Sequence, residues 1–90
     1  MLTINYANSF KKDYKLIKKR GYDLQKLNVV LDLLAAEQRL PHKYRNHQLV
    51  GNYIGYYECH IEPDWLLIYK IVKEKKGLLL ARTGSHSDLY

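Results

Sequence analysis

Residues 65–72 read WLLIYKIV, an apolar run entered from the turn-forming pair Pro63-Asp64 and closed by the charged stretch KEKKG at residues 73–77. Such a run, bounded by turn signals, is a strand entering a hydrophobic core. The stretches on either side, YIGYYECHI at 53–61 and LLLART at 78–83, read as strands as well. Pro63 fixes its own φ and lacks an N–H, and Asp64 favours turns, so Glu62-Pro63-Asp64-Trp65 connects the first two strands. Three sequential strands make an antiparallel meander.

Upstream the period changes. LTINY alternates like a short strand, and then Phe10, Tyr14 and Ile17 recur at helical spacing, with Asn8 or Ser9 as N-cap and Gly21 as the stop. Asp23 caps a second helix, in which Leu24, Leu27, Val30, Leu31, Leu34 and Ala35 form one apolar stripe and which Leu40-Pro41 ends. Residues 41–52 read as a connecting segment. A helical hairpin packed on one face of the sheet leaves the other face free, which predicts an α+β fold with a mainly antiparallel sheet.

Ninety residues allow one core, hence a single domain spanning 1–90. The lone cysteine, Cys59, cannot form an internal disulfide and no CxxC spacing is present, which suits a reducing, cytoplasmic compartment. No apolar stretch reaches the roughly 20 residues of a membrane span, and the N-terminus lacks the layout of a signal peptide.

The net charge of +6 is concentrated in KKDYKLIKKR at 11–20, where six basic residues stand against one acid. Lys18, Lys19 and Arg20 complement the dipole at the end of the first helix. Together with Lys11, Lys12 and Lys15 they also form a footprint for a polyanion, either nucleic acid or an acidic protein.

Alternation along YIGYYECHI places His60 with Ile54, Tyr56 and Glu58, and Cys59 opposite with Tyr53 and Tyr57. Cys59 and His60 are therefore poorly placed to share a metal. His42 lies in a polar connector and His47 in NHQLVG. His86 follows a Gly-Ser turn in which Ser85 and Asp88 make a capping pattern. The wide separation of the histidines gives no metal-ligand spacing, and no cofactor is implied.

In this order and spacing, NHQLVG, ECHIEPDWLLIYK and RTGSHSDLY resemble the YafQ branch of the RelE/ParE toxin superfamily over nearly the whole chain. The resemblance implies a ribosome-dependent messenger RNA endonuclease, the toxin of a type II toxin–antitoxin pair. It also implies a small twisted sheet with a helical hairpin on one side and the RNA site on the other. Partners would be a cognate antitoxin, the ribosome and its message, with a monomeric toxin entering a larger complex with the antitoxin. The family's active-site positions fall on His47, His60, Asp64 and His86, with Trp65 and Tyr90 beside the substrate. Relatives usually have Phe where this chain has Tyr90, and commonly Arg where it has Tyr57.

These residue types suit RNA cleavage. The 2′-hydroxyl is the nucleophile, so the reaction needs a base for its proton, an acid for the departing 5′-oxygen and positive charge near the phosphorane. Histidine serves as base or acid at neutral pH. His86 is the expected acid, His47 or Asp64 the base, and His60 the group that positions the phosphate. Arg82 offers a planar fork to phosphate oxygens, and Trp65 and Tyr90 offer stacking faces. The basic helix would hold ribosomal RNA or attract an acidic antitoxin segment. Two other readings are a ParE-like toxin acting on DNA gyrase and a non-catalytic nucleic-acid-binding module; neither gives the histidine set a joint purpose.

Overall fold

The apolar spacing of the N-terminal third produces two helices folded back on each other in the computed structural model, which describes residues 1–90. Helix α1 (Asn8–Lys19) buries Phe10 and Ile17, and α2 (Leu24–Ala35) buries Leu27, Val30, Leu31, Leu34 and Ala35. Between them Gly21 adopts φ 80°, and the N–H groups of Gly21 and Tyr22 close onto the carbonyls of Lys18 and Ile17. This is a Schellman ending, in which glycine takes the left-handed position without strain. Asp23 then caps α2 by accepting from the Gln25 N–H at 3.1 Å.

Two helix ends differ from expectation. Neither Asn8 nor Ser9 caps α1: Ala7 is the N-cap and makes no side-chain bond. The Ser9 hydroxyl instead donates to the Ala81 carbonyl at 2.7 Å, a tertiary bond that competes with a local one. Helix α2 stops at Ala35, short of Leu40-Pro41, because Glu37 takes φ 59° and the N–H groups of Glu37 and Gln38 close onto Leu34 and Leu33. A Schellman ending built on glutamate carries no sequence signal.

The sheet has five strands, β1 (Thr3–Tyr6), β2 (His47–Gln48), β3 (Tyr57–Glu62), β4 (Trp65–Val72) and β5 (Gly77–Gly84), in the order β1-β5-β4-β3-β2. The expected meander is β3-β4-β5. β1 joins parallel to β5, so the sheet is mixed but mainly antiparallel. The connector at 41–52 holds short 3-10 turns at His42–Tyr44 and Gly51–Tyr53, and the two-residue β2 that extends the sheet.

β3 begins four residues later than the run YIGYYECHI suggests, because a 3-10 turn ends at Tyr53 and Gly55 adopts φ 89°. Alternation therefore holds only from Tyr57 onward. Cys59 and Tyr57 share a face as expected, and it is the one covered by the helices, while Glu58 and His60 face away. Tyr53 does not share the side of Cys59: with Tyr56 and Leu49 it packs on the opposite face, against Leu66, Ile68, Ala81 and Leu89.

The larger core lies between the hairpin and the sheet and includes Phe10, Ile17, Leu27, Trp65, Leu67, Tyr69, Leu78 and Leu80. Beyond the end of β1, α1 covers the open edge of β5. There Ser9 holds the Ala81 carbonyl and Asp13 accepts from the Thr83 N–H at 3.1 Å. Opposite this edge β5 bulges, since Ile68 pairs with Arg82 and Tyr69 with Leu80, leaving Ala81 unpaired. The bulge breaks the phase set by Leu78 and Leu80 and puts Arg82 in register with a residue of the face opposite the helical hairpin.

Candidate active site

Register alone assembles the first part of the site. His47 pairs with Glu58, Glu58 with Ile68, and Ile68 with Arg82, so one cross-strand row spans β2 to β5 on the face opposite the helical hairpin. His60 pairs with Leu66 in the neighbouring row. The His47 and His60 rings stand 6.4 Å apart, and the His86 ring stands 5.7 Å beyond His60. Three imidazoles thus form one chain, with Leu66 and Ile68 as a rigid apolar floor.

Glu58 is the acid of this row, and the residue is 6% exposed. Its Oε1 lies 3.4 Å from His47 Nε2 and 3.7 Å from His60 Nε2, while the Tyr90 hydroxyl donates to Oε2. His47 is oriented from its other nitrogen, whose Nδ1–H donates to the Arg45 carbonyl at 2.8 Å. Glu58 was absent from the expected catalytic set, although its two-residue spacing from His60 was the available signal. Spacing alone does not reveal that one carboxylate serves two imidazoles and a tyrosine.

His86 opens α3 (His86–Leu89), a single turn held by a full capping box between Ser85 and Asp88. Gly84 precedes it at φ 150°, where a Cβ would meet Asp88 Oδ2 at 2.9 Å, so only glycine fits. Asp64, in the β3–β4 turn, accepts from the His86 backbone N–H at 2.9 Å and from His86 Nδ1–H at 2.5 Å. Because a carboxylate only accepts, this contact places the proton on Nδ1 and leaves Nε2 facing outward. The backbone bond and then the ring bond from His86 lower the Asp64 pKa.

Tyr90 is an exposed residue, 65% accessible, while its hydroxyl is tied to Glu58. Burial of the hydroxyl and then the Glu58 contact raise its pKa. The hydroxyl that Phe would lack thus fixes the last side chain over the row. Tyr57 points away from His60, stacking on Tyr69 at 5.6 Å between centroids.

Three expected site residues are placed differently. Trp65 is no stacking platform: it is 1% exposed, meets Tyr22 edge-on at 4.9 Å and donates Nε1–H to Thr83 at 3.0 Å. As the first residue of the apolar strand it shares the face of Leu67 and Tyr69, which belongs to the helices. Arg82 reaches the row but its fork is occupied, with Nε and Nη2 on the Asp13 carboxylate at 2.6 and 3.2 Å. Arg20 likewise forks onto Asp88 at 2.7 and 3.2 Å, tying the end of α1 to α3. Asp88 is thereby held well below the usual carboxylate range. Lys11, Lys12, Lys15, Lys18 and Lys19 are all exposed, and none joins the ion pairs of the chain.

Residues 2–90 match the family described as the bacterial toxin of type II toxin–antitoxin system, YafQ. The mRNA interferase toxin YafQ of Escherichia coli K12 is 42% identical over 88 residues, covering 97% of this chain and 94% of that protein. A metal-bound toxin from Helicobacter pylori superposes with a TM-score of 0.94 at 47% identity over the whole of both chains. The toxin of the E. coli DinJ–YafQ complex superposes with a TM-score of 0.90 at 41% identity, covering 100% of this chain and 99% of that one. In the present structure no three His, Cys, Asp or Glu side chains are grouped so as to hold a metal ion. The cross-strand row and the match along nearly the entire sequence agree: this chain belongs to the YafQ family of bacterial type II toxin–antitoxin toxins.

Proposed function

We propose that the chain is a messenger RNA endonuclease that acts on the translating ribosome, the toxin partner of a protein antitoxin. The observation that carries this reading is the connected set His47, His60 and His86 on the face opposite the helical hairpin, with a carboxylate beside each imidazole.

Each group has a task. His86 is the general acid: Asp64 holds its Nδ1–H and balances the charge of the imidazolium, so Nε2 delivers a proton to the departing 5′-oxygen. Asp64 already accepts two bonds and is held at a lowered pKa, which suits an orienting anion better than a base. The base is then His47, fixed by Arg45 through Nδ1 and facing Glu58 through Nε2. A proton taken from the 2′-hydroxyl leaves a cation beside the buried carboxylate. His60, between the other two rings, holds the phosphate, and Tyr90 offers the stacking face. No helix of the chain is long and apolar enough to cross a membrane, and we place the protein in the bacterial cytoplasm, where its substrate is.

Primer extension on a translated message tests this reading. Cuts should require ribosomes, persist in EDTA and vanish in His86→Ala. Absence of ribosome-dependent cuts across several messages, with gyrase inhibition or stoichiometric binding in their place, would overturn it.

A further inference from the structure

We propose that the cleft on the far side of His60 grips the phosphates of the message strand next to the cleavage point, with Lys43 and Arg45 as the gripping cations. The proposal rests on the nuclease reading and adds a site for the flanking strand. The cleft has a volume of about 630 Å³, and its walls include Lys26, Lys43, Tyr44, Arg45, His60 and Glu62. His60 belongs to both spaces, so a strand seated on the histidine row runs directly into it.

The charge in the cleft is available. Lys26 and Glu62 neutralise each other at 2.9 Å, but Lys43 and Arg45 are exposed and take part in no ion pair of the structure. Lys43 Nζ lies 5.1 Å from the centroid of the Tyr44 ring, an aromatic contact that holds the ammonium near the wall. The remaining +2 suits a polyanion whose phosphates follow one another along a strand.

The backbone ties the cleft to the histidine row. Arg45 ends the 3-10 turn at φ 48° and ψ 45°, a left-handed conformation that Glu37 and Lys76 also adopt where they end helical turns. Its N–H closes onto His42, and its carbonyl accepts the His47 Nδ1–H. One strained residue therefore orients the proposed base with its main chain and lines the cleft with its side chain. Glycine at this position would relieve the strain, but it would remove the guanidinium.

The test uses Lys43→Ala, Arg45→Gly and their combination, with Arg45→Lys to restore charge. Arg45→Gly keeps the backbone turn and its carbonyl, which separates charge from folding. In an inactive His86→Ala background, binding to ribosomes carrying a defined message is compared with binding to message-free ribosomes over a range of salt. The double variant should weaken message-dependent binding at least tenfold and flatten its log–log salt dependence by about 1.4, at roughly 0.7 per phosphate released from a single strand. With His86 intact, Lys43→Ala should raise KM while kcat stays within about twofold, and Arg45→Lys should recover most of the message-dependent binding lost in Arg45→Gly. Unchanged message-dependent binding and salt slope would overturn the proposal. An equal loss on message-free ribosomes would assign the cations to ribosomal RNA instead, and weakened neutralisation by the antitoxin alone would assign them to the protein partner. Failure of the wild type to cleave would refute the nuclease reading, while the binding comparison would still decide the cleft.

Discussion

The two faces of the sheet use the same strands in opposite ways. On the helix side the polar atoms are spent internally: the Trp65 indole on Thr83, the Tyr69 hydroxyl on Asn46, and the Cys59 thiol buried with its pKa pushed up to about 12. On the open side, Arg82 apart, the polar groups of the site are tied at one end and presented at the other. Asp64 holds Nδ1 of His86 and leaves Nε2; Glu58 holds the Tyr90 hydroxyl and leaves the ring. Side chains two residues apart share a face, so Glu58 and His60 meet in the histidine row while Cys59, between them, is buried in the core.

Substitutions on the two faces should therefore fail differently. The largest effect is expected from His86→Ala: cleavage should fall by about 10²- to 10⁴-fold, since one proton transfer is removed. Its thermal melt should stay near that of the wild type, because the exposed ring supports little of the core. Single-turnover cleavage beside a melting curve checks both halves.

Trp65→Ala should do the reverse. Truncating a fully buried tryptophan should destabilise by about 3–5 kcal/mol, measurable in urea. Activity per folded molecule should persist, and the more conservative Trp65→Phe should be active and better folded. A Trp65→Phe protein that is stable yet inactive would return this residue to the substrate. Alkylation of Cys59 gives a second readout: the thiol should resist labelling in the wild type and react in Trp65→Ala as the core opens.

Glu58→Gln probes the boundary between the faces. It removes the charge facing His47 and His60 but leaves an acceptor for the Tyr90 hydroxyl, so cleavage should drop by about 10- to 100-fold, with stability changed by about 1 kcal/mol. Equal losses of both would make the residue structural.

Acid dependence gives the smallest effect. Arg20 holds Asp88 below its unfolded pKa of about 3.9, so this pair stabilises the fold fully above that value and loses its effect as pH falls toward the folded pKa. The stability gap between wild type and Arg20→Gln should therefore be present at pH 7 and close below about pH 4. A gap that stays constant through the acid range would show that the pair contributes no charge term.

The sequence made the elements legible wherever periodicity was long. The α2 stripe and the run at 65–72 correspond to the elements observed, and the capping pattern of Ser85 and Asp88 is a true capping box. It misled where tertiary partners override a local rule. Ser9 leaves its capping role for the open edge of β5, and Glu37 ends a helix in a conformation usually left to glycine. His47, His60, Asp64 and His86 come together as the motifs suggested. The fates of Trp65 and Arg82 depended on a face and on a partner 69 residues away, neither of which a short motif encodes.

The central claim, that His86 protonates the leaving oxygen, is tested most directly by changing the leaving group. A ribosome-bound message with sulfur in place of the scissile 5′-bridging oxygen releases a thiolate, which needs no proton to depart. On this substrate His86→Ala should cleave at close to the wild-type rate, while His47→Ala should remain defective. If His86→Ala is as slow with sulfur as with oxygen, His86 does not act as the acid, and the account of the histidine row given above is wrong.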